Sequence, residues 1–205
     1  MKQNLLVMFV KFPSEGKVKT RLGKDIGMHQ AVELYKSFVE KLLFSLSESS
    51  VYDLLIYFSP IEKEKHFQAW LGSGVSYYPQ PEGDLTVRLS HIYHKFADVY
   101  DAIGVIGSDL PTLSRDDIEK GFSFLSQFDT VIGPSTDGGY YFLAQKENQD
   151  LFSDIAWSTE VVCDQTIDKI SSFGKTVTFL EPKQDIDTIA DLAAYSEYEQ
   201  YLKKE

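Results

Sequence analysis

The chain has 205 residues, 43% of them hydrophobic and 25% charged, with 31 acidic against 20 basic side chains and a net charge of −11. That balance argues against a nucleic-acid partner, which needs a basic stripe, but it leaves room for a small phosphorylated ligand held by a local basic patch. The single cysteine, Cys163, excludes an internal disulfide and a cysteine metal cluster, and no low-complexity tract or long linker interrupts one expected domain over residues 1–205.

The first strand is expected at Asn4 to Val10, an apolar run too short to span a membrane and followed by basic residues instead of a cleavage site. A cytoplasmic protein without a membrane span is therefore expected. Lys11 to Lys24 reads as a loop in which Lys11, Lys17, Lys19, Arg21 and Lys24 outnumber Glu15. Met28 to Leu46 has helical spacing, with Ala31, Leu34, Tyr35, Phe38, Leu42, Leu43 and Leu46 on one broad face. A strand at Asp53 to Ser59 is closed by Pro60 and followed by a short helix, Glu62 to Leu71, and a strand at Val75 to Pro79.

Gly83-Asp84 opens a further helix, with Leu85, Leu89, Ile92, Tyr93 and Phe96 at core spacing. The run Ala102 to Ile106 then stops at Gly107-Ser108-Asp109, as a strand buried on both faces does. Ser114 with Asp117 announces a capped helix, Arg115 to Ser126. Strands at Thr130 to Gly133 and Tyr140 to Ala144 flank the turn Pro134 to Gly139. A loop at Ala156 to Thr159, a helix from about Glu160 to Ser171 that carries Cys163 as an apolar filler, and a strand at Lys175 to Leu180 follow. Thr188 with Asp191 caps a final helix. Strands alternate with helices through the first two-thirds, so the sheet should be mainly parallel, and the hairpin at Gly133 to Tyr140 makes it mixed.

Four stretches can carry chemistry. The basic loop lies where nucleotide-binding α/β folds place their phosphate turn, yet it lacks the spacing of G-x-G-x-x-G and of G-x-x-x-x-G-K-[ST]. Phosphate would then be held by Lys19 and by the planar fork of Arg21, and a merely solvated basic loop is an equal alternative. Asp109 leaves an interior strand at its carboxyl end, where open α/β sheets bind ligands, or serves only its own turn. Asp187 stands beside a helix N-terminus, which stabilises a carboxylate in any case, but a magnesium–phosphate complex needs only one or two protein carboxylates. Asp137-Gly138-Gly139 is either a tight turn or a place where a ligand approaches the backbone, and Trp157-Ser158-Thr159 is either a lid or a helix cap. His91 and His94 lack the H-E-x-x-H arrangement of a zinc site, and there is no G-x-S-x-G nucleophile elbow.

Six blocks occur in order: Lys11-x-Pro13-x-x-Gly16-x-x-Lys19-Thr20-Arg21-Leu22, Gly83-Asp84-Leu85-x-x-Arg88, Gly107-Ser108-Asp109-x-Pro111, Gly133-Pro134-x-x-Asp137-Gly138-Gly139-Tyr140, Trp157-Ser158-Thr159, and Asp185-x-Asp187-Thr188-x-x-Asp191-Leu192. Together they resemble the bacterial glycosyltransferase-A-like transferases of the radical-SAM/selenodomain-associated type. More distantly they are similar to 2-phospholactate guanylyltransferase and the molybdenum-cofactor nucleotidyltransferases. The resemblance implies a nucleotide-diphospho-sugar transferase (GT-A-like) fold, a three-layer α/β/α sandwich with a mixed, mainly parallel sheet. It implies that Lys11, Lys19, Thr20, Arg21, Asp84, Arg88 and Ser108 face a nucleotide and that Asp109, helped by Asp187, binds Mg2+ or Mn2+. Lys19, Arg21 and Asp109 would be the catalytic set, with Asp137, Gly138, Gly139 and Trp157 around an acceptor pocket. The chain departs from its relatives in having Leu110 where cysteine is frequent and Thr86 where glycine is usual, and it lacks both the GG-x-S-x-R-x-G loop and a separate Asp-x-Asp motif.

The function expected from these residues is metal-dependent transfer from a nucleoside triphosphate to a small-molecule acceptor. Glycosyl transfer from a nucleotide-sugar is the alternative, and a non-catalytic nucleotide-binding protein on the same fold is the rival from another class. The presence of both Asp109 and Asp187 argues against the last.

Overall fold

The computed structural model describes residues 4–202. All seven apolar runs form strands: β1 (Asn4–Lys11), β2 (Tyr52–Ser59), β3 (Ser76–Pro79), β4 (Ile103–Ile106), β5 (Thr130–Pro134), β6 (Tyr140–Gln145) and β7 (Val177–Phe179). They make one sheet in the order β3-β2-β1-β4-β6-β5-β7. Only β6 runs against its neighbours, pairing antiparallel with both β4 and β5, while the remaining pairs are parallel. The mixed sheet expected from the hairpin is thus observed, with a register shift at Gly133/Pro134 where that hairpin turns.

Burial follows the strand order. Every residue of β4 is buried, whereas neither edge strand, β3 nor β7, holds a fully buried residue. Alternation along β1 explains the three layers, because successive side chains leave a strand on opposite faces. Leu6, Met8 and Val10 pack with α2 (Met28–Leu46), α3 (Glu64–Leu71) and α5 (Arg115–Phe124). Leu5 and Val7 pack with α4 (Leu85–Phe96) and α6 (Val162–Ser172) on the other side. Each such aliphatic side chain contributes about 1.5–3 kcal/mol by leaving water. Cys163 is half-buried on α6 among the partners of that second face, as an apolar filler should be.

A third, smaller cluster matters most for the site. Leu22, Leu34, Phe38, Ile186, Leu192 and Tyr198 bury one another away from the sheet. They join α1 (Thr20–Ile26), α2 and α7 (Ile189–Ala193), and so tie the segment after β1 to the segment before the last helix. Both expected capping boxes form, Ser114 with Asp117 on α5 and Thr188 with Asp191 on α7.

Helix α1 corrects the expected loop, which ends at Lys19 and not at Lys24. Its seven residues offer only Leu22 and Ile26 to a core, include Gly23, and have no side-chain cap. Periodicity over so short a span is uninformative. The third cluster holds it, with Leu22 fully buried there.

Candidate functional site

The chain leaves β1 for β2 and β3 on one side and then crosses to β4 on the other. The strand order thus reverses between β1 and β4, and a crevice opens at the carboxyl ends of the strands at such a switch point. A cavity of ≈ 660 Å³ lies there. Its wall takes Lys11 from the end of β1, Lys19, Thr20 and Arg21 from the start of α1, and Asp84 and Arg88 from α4 and its cap. Ser108 and Asp109 come from the turn after β4, and Asp187 from the segment before α7. The structure thus gathers these nine sequence-selected residues around one space.

Lys19 is at the centre of the cluster. Its side chain is 2% exposed, and its ammonium sits 2.6 Å from Asp109 Oδ1 and 2.9 Å from Asp187 Oδ1. It also donates to the Ile186 carbonyl at 2.7 Å and lies 5.7 Å from the centre of the Phe38 ring. Burial alone would lower its pKa, but attraction to Asp109 and Asp187 outweighs burial and raises it. The backbone of Lys19 adopts φ 45°, ψ 42°, a left-handed conformation that costs a non-glycine residue about 1–2 kcal/mol. Strain of this kind is held where surrounding contacts over-determine it, and here three contacts of the buried ammonium do so.

Around this centre the turn after β4 is braced. The Tyr35 hydroxyl accepts from the Lys11 backbone N–H at 2.9 Å and shares a hydrogen bond with Ser108 Oγ at 3.0 Å. Burial, and then Asp109 nearby, push its pKa well above the usual phenol value. Arg21, largely exposed, approaches Asp187 Oδ2 at 3.8 Å. On the far wall the Gln80 side chain donates to the Tyr57 carbonyl and accepts from Arg88 Nη1 at 2.9 Å, so the guanidinium has a fixed orientation. Asp84 caps α4 by accepting from the Val87 N–H.

Sequence reasoning passed over two contributors. Tyr35 falls on the apolar face of α2 and reads as core, since nothing in the periodicity shows where its hydroxyl ends. Asp185 entered only as part of a block. Its carboxyl is mostly buried, one oxygen has no hydrogen-bond partner among the described residues, and its pKa is pushed up to about 7 by burial and then by Asp109. Its place two residues before Asp187 was the available signal.

The four residues expected around an acceptor pocket do not line this cavity. Asp137 accepts from the Gly139 N–H inside its own turn, at 3.1 Å. Gly138 has φ 89°, and a Cβ there would stand 2.0 Å from the Glu160 carbonyl oxygen. The close approach this glycine permits is to the chain itself, which is reinforced by the Cys163 N–H donating to the Gly138 carbonyl. Trp157 donates its indole N–H to Thr86 Oγ1 at 2.7 Å, and Thr86 in turn donates to the Phe152 carbonyl. Ser158, not Trp157, reaches the cavity wall. His91 shares a hydrogen bond with the Tyr57 hydroxyl at 2.9 Å.

The donor set bears on Mg2+ or Mn2+. Among the described residues no three His, Cys, Asp or Glu side chains form a group able to hold a metal ion. An ammonium, not open space, lies between the inner oxygens of Asp109 and Asp187. Both carboxylates are nevertheless nearly half exposed, at 46% and 45%, and with Asp185 they outnumber the one buried cation. Such a set fits a hard cation that arrives with phosphate and water ligands of its own, and does not fit a closed protein cage.

Fold and site together define a GT-A-like, nucleotide-diphospho-sugar transferase type of architecture. Residues 42–159 match the family described as "Uncharacterized protein conserved in bacteria (DUF2064)", and the chain belongs to that family. A solved structure from Desulfovibrio desulfuricans G20, described as a candidate nucleotide-diphospho-sugar transferase, is 34% identical with a TM-score of 0.90, over 96% of this chain and 88% of that one. The 4-diphosphocytidyl-2C-methyl-D-erythritol synthase of Anaerococcus prevotii shares the fold at 10% identity, TM-score 0.60, over 97% and 99% of the two chains. The Rv0371c protein of Mycobacterium tuberculosis H37Rv, solved with manganese, does so at 13% identity and TM-score 0.50, over 98% of each chain. The descriptions of these relatives mention neither radical-SAM enzymes nor selenodomain proteins. No curated protein matches the sequence. Among the described residues no helix is long and apolar enough to cross a membrane.

Proposed function

We propose that the protein is a metal-dependent transferase that moves a nucleotidyl group from a nucleoside triphosphate to a small-molecule acceptor. The observation that carries this reading is the composition of the switch-point cavity. In a chain of net charge −11, its wall holds Lys11, Lys17, Lys19, Arg21 and Arg88 against Asp84, Asp109 and Asp187. A polyphosphate needs such a local excess of cations, and the transfer itself needs chiefly positioning and charge stabilisation.

Within this reading Lys11, Thr20, Asp84, Arg88 and Ser108 bind and orient the nucleotide. Arg21, exposed at the rim, meets the charge that gathers on the departing pyrophosphate. Lys19 holds Asp109 and Asp187 in register, so that their outer oxygens face the phosphates. Those two aspartates would hold Mg2+ or Mn2+, which supplies Lewis-acid polarisation of phosphoryl oxygens when bound. Asp137, Gly138, Gly139 and Trp157, grouped on the hairpin turn and its covering segment, would border the acceptor from outside the cavity.

Glycosyl transfer from a nucleotide-sugar is the second reading, favoured by the description of the D. desulfuricans relative as a candidate nucleotide-diphospho-sugar transferase. Product analysis separates the two, because nucleotidyl transfer releases pyrophosphate and glycosyl transfer a nucleoside diphosphate.

The first test is a panel of nucleoside triphosphates and nucleotide-sugars screened by thermal shift with and without Mg2+ or Mn2+, since a ligand bound to the folded state raises the melting temperature. Asp109→Asn should then abolish turnover of the identified substrate while leaving the fold intact. A variant that turns over like the wild type refutes the role of Asp109, and binding without turnover in the wild type leaves a nucleotide-binding protein and not an enzyme.

A further inference from the structure

A second cavity, of ≈ 510 Å³, lies on the outer side of the segment that follows β1. Its wall includes Lys11, Lys17, Lys63 and Arg88, together with Ser14, Ser59 and one acid, Glu15. Three of these cations, Lys11, Lys17 and Arg88, also line the switch-point cavity, so one set of charges separates two adjoining spaces. Lys63 belongs to the second alone.

Two features make this a built site and not a chance patch. First, its floor is fixed. The Phe12 N–H donates to the Ser59 carbonyl at 2.8 Å, so β1 and β2 remain joined at the point where the cavity begins. The Phe12 ring packs edge-on against the buried Phe67 at 5.4 Å, and the Lys63 ammonium lies 5.2 Å from its centre. That contact places a half-buried cation over an anchored aromatic face. Second, its cations are uncompensated. Among the described residues none of Lys11, Lys17, Lys63 and Arg88 pairs with a carboxylate, and Glu15 faces His29 at 3.5 Å. The Arg88 guanidinium leaves a buried Nε with no partner among the described residues. Three of the four cations also face the nucleotide cleft, so Lys63 is the charge whose demand for an anion is specific to this concavity.

We propose that this second cavity is a binding site for a phosphate group on a molecule other than the nucleotide, namely the phosphate ester of the acceptor. A dianion suits Lys63 beside the shared Lys11, Lys17 and Arg88 better than a carboxylate does. The shared wall of Lys11, Lys17 and Arg88 puts such a group next to the nucleotide cleft, where the rest of the acceptor can enter. The acceptor assignment rests on the transferase reading above, whereas anion binding at Lys63 does not.

Calorimetric titration of the full chain with inorganic phosphate tests it. The titration is made alone and in the presence of saturating α,β-methylene analogues of the four ribonucleoside triphosphates, tried in turn with Mg2+. Phosphate is expected to bind in both conditions. Lys63→Met, which keeps the aliphatic stem over Phe12, should weaken phosphate binding about tenfold, the loss of one charge-assisted contact, with nucleotide affinity unchanged. Lys63→Arg should bind phosphate as the wild type does, and melting curves of both variants establish that they are folded. The proposal is overturned if phosphate does not bind, if Lys63→Met binds it like the wild type, or if a bound nucleotide analogue displaces it. Phosphate binding that depends on Lys63 in a protein that binds no nucleotide keeps the site and removes the transferase reading. Nucleotide binding without phosphate binding does the reverse.

Discussion

Replacing Lys19 by methionine tests the centre of the candidate site most directly. The substitution keeps the stem among Phe38 and its neighbours and removes only the ammonium that lies 2.6 Å from Asp109 and 2.9 Å from Asp187. Breaking one partner out of a buried ion pair costs about 3–5 kcal/mol, because the charge left behind has lost its counter-charge. Here the two survivors are nearly half exposed, so water screens them and a loss of about 2–3 kcal/mol is expected. In a chain of this size that corresponds to a fall in Tm of roughly 5–10 °C. Since attraction to the two aspartates raises the pKa of Lys19, its contribution is complete below the unfolded lysine pKa and fades only as pH rises through the higher folded value. Urea denaturation near neutral pH therefore measures it in full. Mg2+ at millimolar concentration should stabilise the variant more than the wild type, because the freed carboxylates then face only metal. A variant as stable as the wild type in the absence of Mg2+ would falsify the view that this ammonium holds the carboxylates together.

Three further outcomes follow from the geometry. Burial, and then Asp109, push the Asp185 carboxyl up to about 7 from an ordinary 3.8, so the folded state favours its proton and stability is lost as pH rises from 3.8 towards 7. In metal-free protein Asp185→Asn should remove that loss and exceed the wild type by about 2–4 kcal/mol above neutrality, and urea midpoints that differ from wild type by the same amount at pH values on both sides of this window would contradict it. Gly138→Ala places a Cβ 2.0 Å from the Glu160 carbonyl at φ 89°; a cost of about 2–5 kcal/mol is expected from backbone strain plus overpacking, and an unchanged denaturation midpoint would count against it. Thr86→Val removes both the acceptor of the Trp157 indole and the donor to the Phe152 carbonyl. In a Trp70→Phe background, Trp157 emission should shift to the red and become easier to quench, with about 1–2 kcal/mol of stability lost; unchanged emission and quenching would show that Thr86 does not hold this loop.

The elements with a strong local signal were legible in the amino-acid order. The strand cores, the 19-residue helix α2 and both capping boxes follow from periodicity and from side chains three residues apart. So does the antiparallel pairing of β5 with β6, because the turn from Pro134 to Gly139 is too short for a crossover. Helix α1 was not legible, since its stability comes from Leu22 meeting Phe38, Ile186 and Leu192, which lie far apart in sequence. Likewise the Asp137-Gly138-Gly139 turn leaves open in sequence what comes close to Gly138, and the structure places the Glu160 backbone there.

By itself the sequence determined the alternation of strands and helices, the mixed sheet, and the residue types assembled at its carboxyl edge, because each of these depends on neighbours within a few positions. Only the tertiary structure decided that Lys19 stands between Asp109 and Asp187, that Tyr35 braces the turn after β4, and that Lys63 joins three cations of the nucleotide-facing wall around a second cavity. Those relations span up to 168 residues and are set by which apolar faces bury one another, a property of the packed chain that no local pattern encodes.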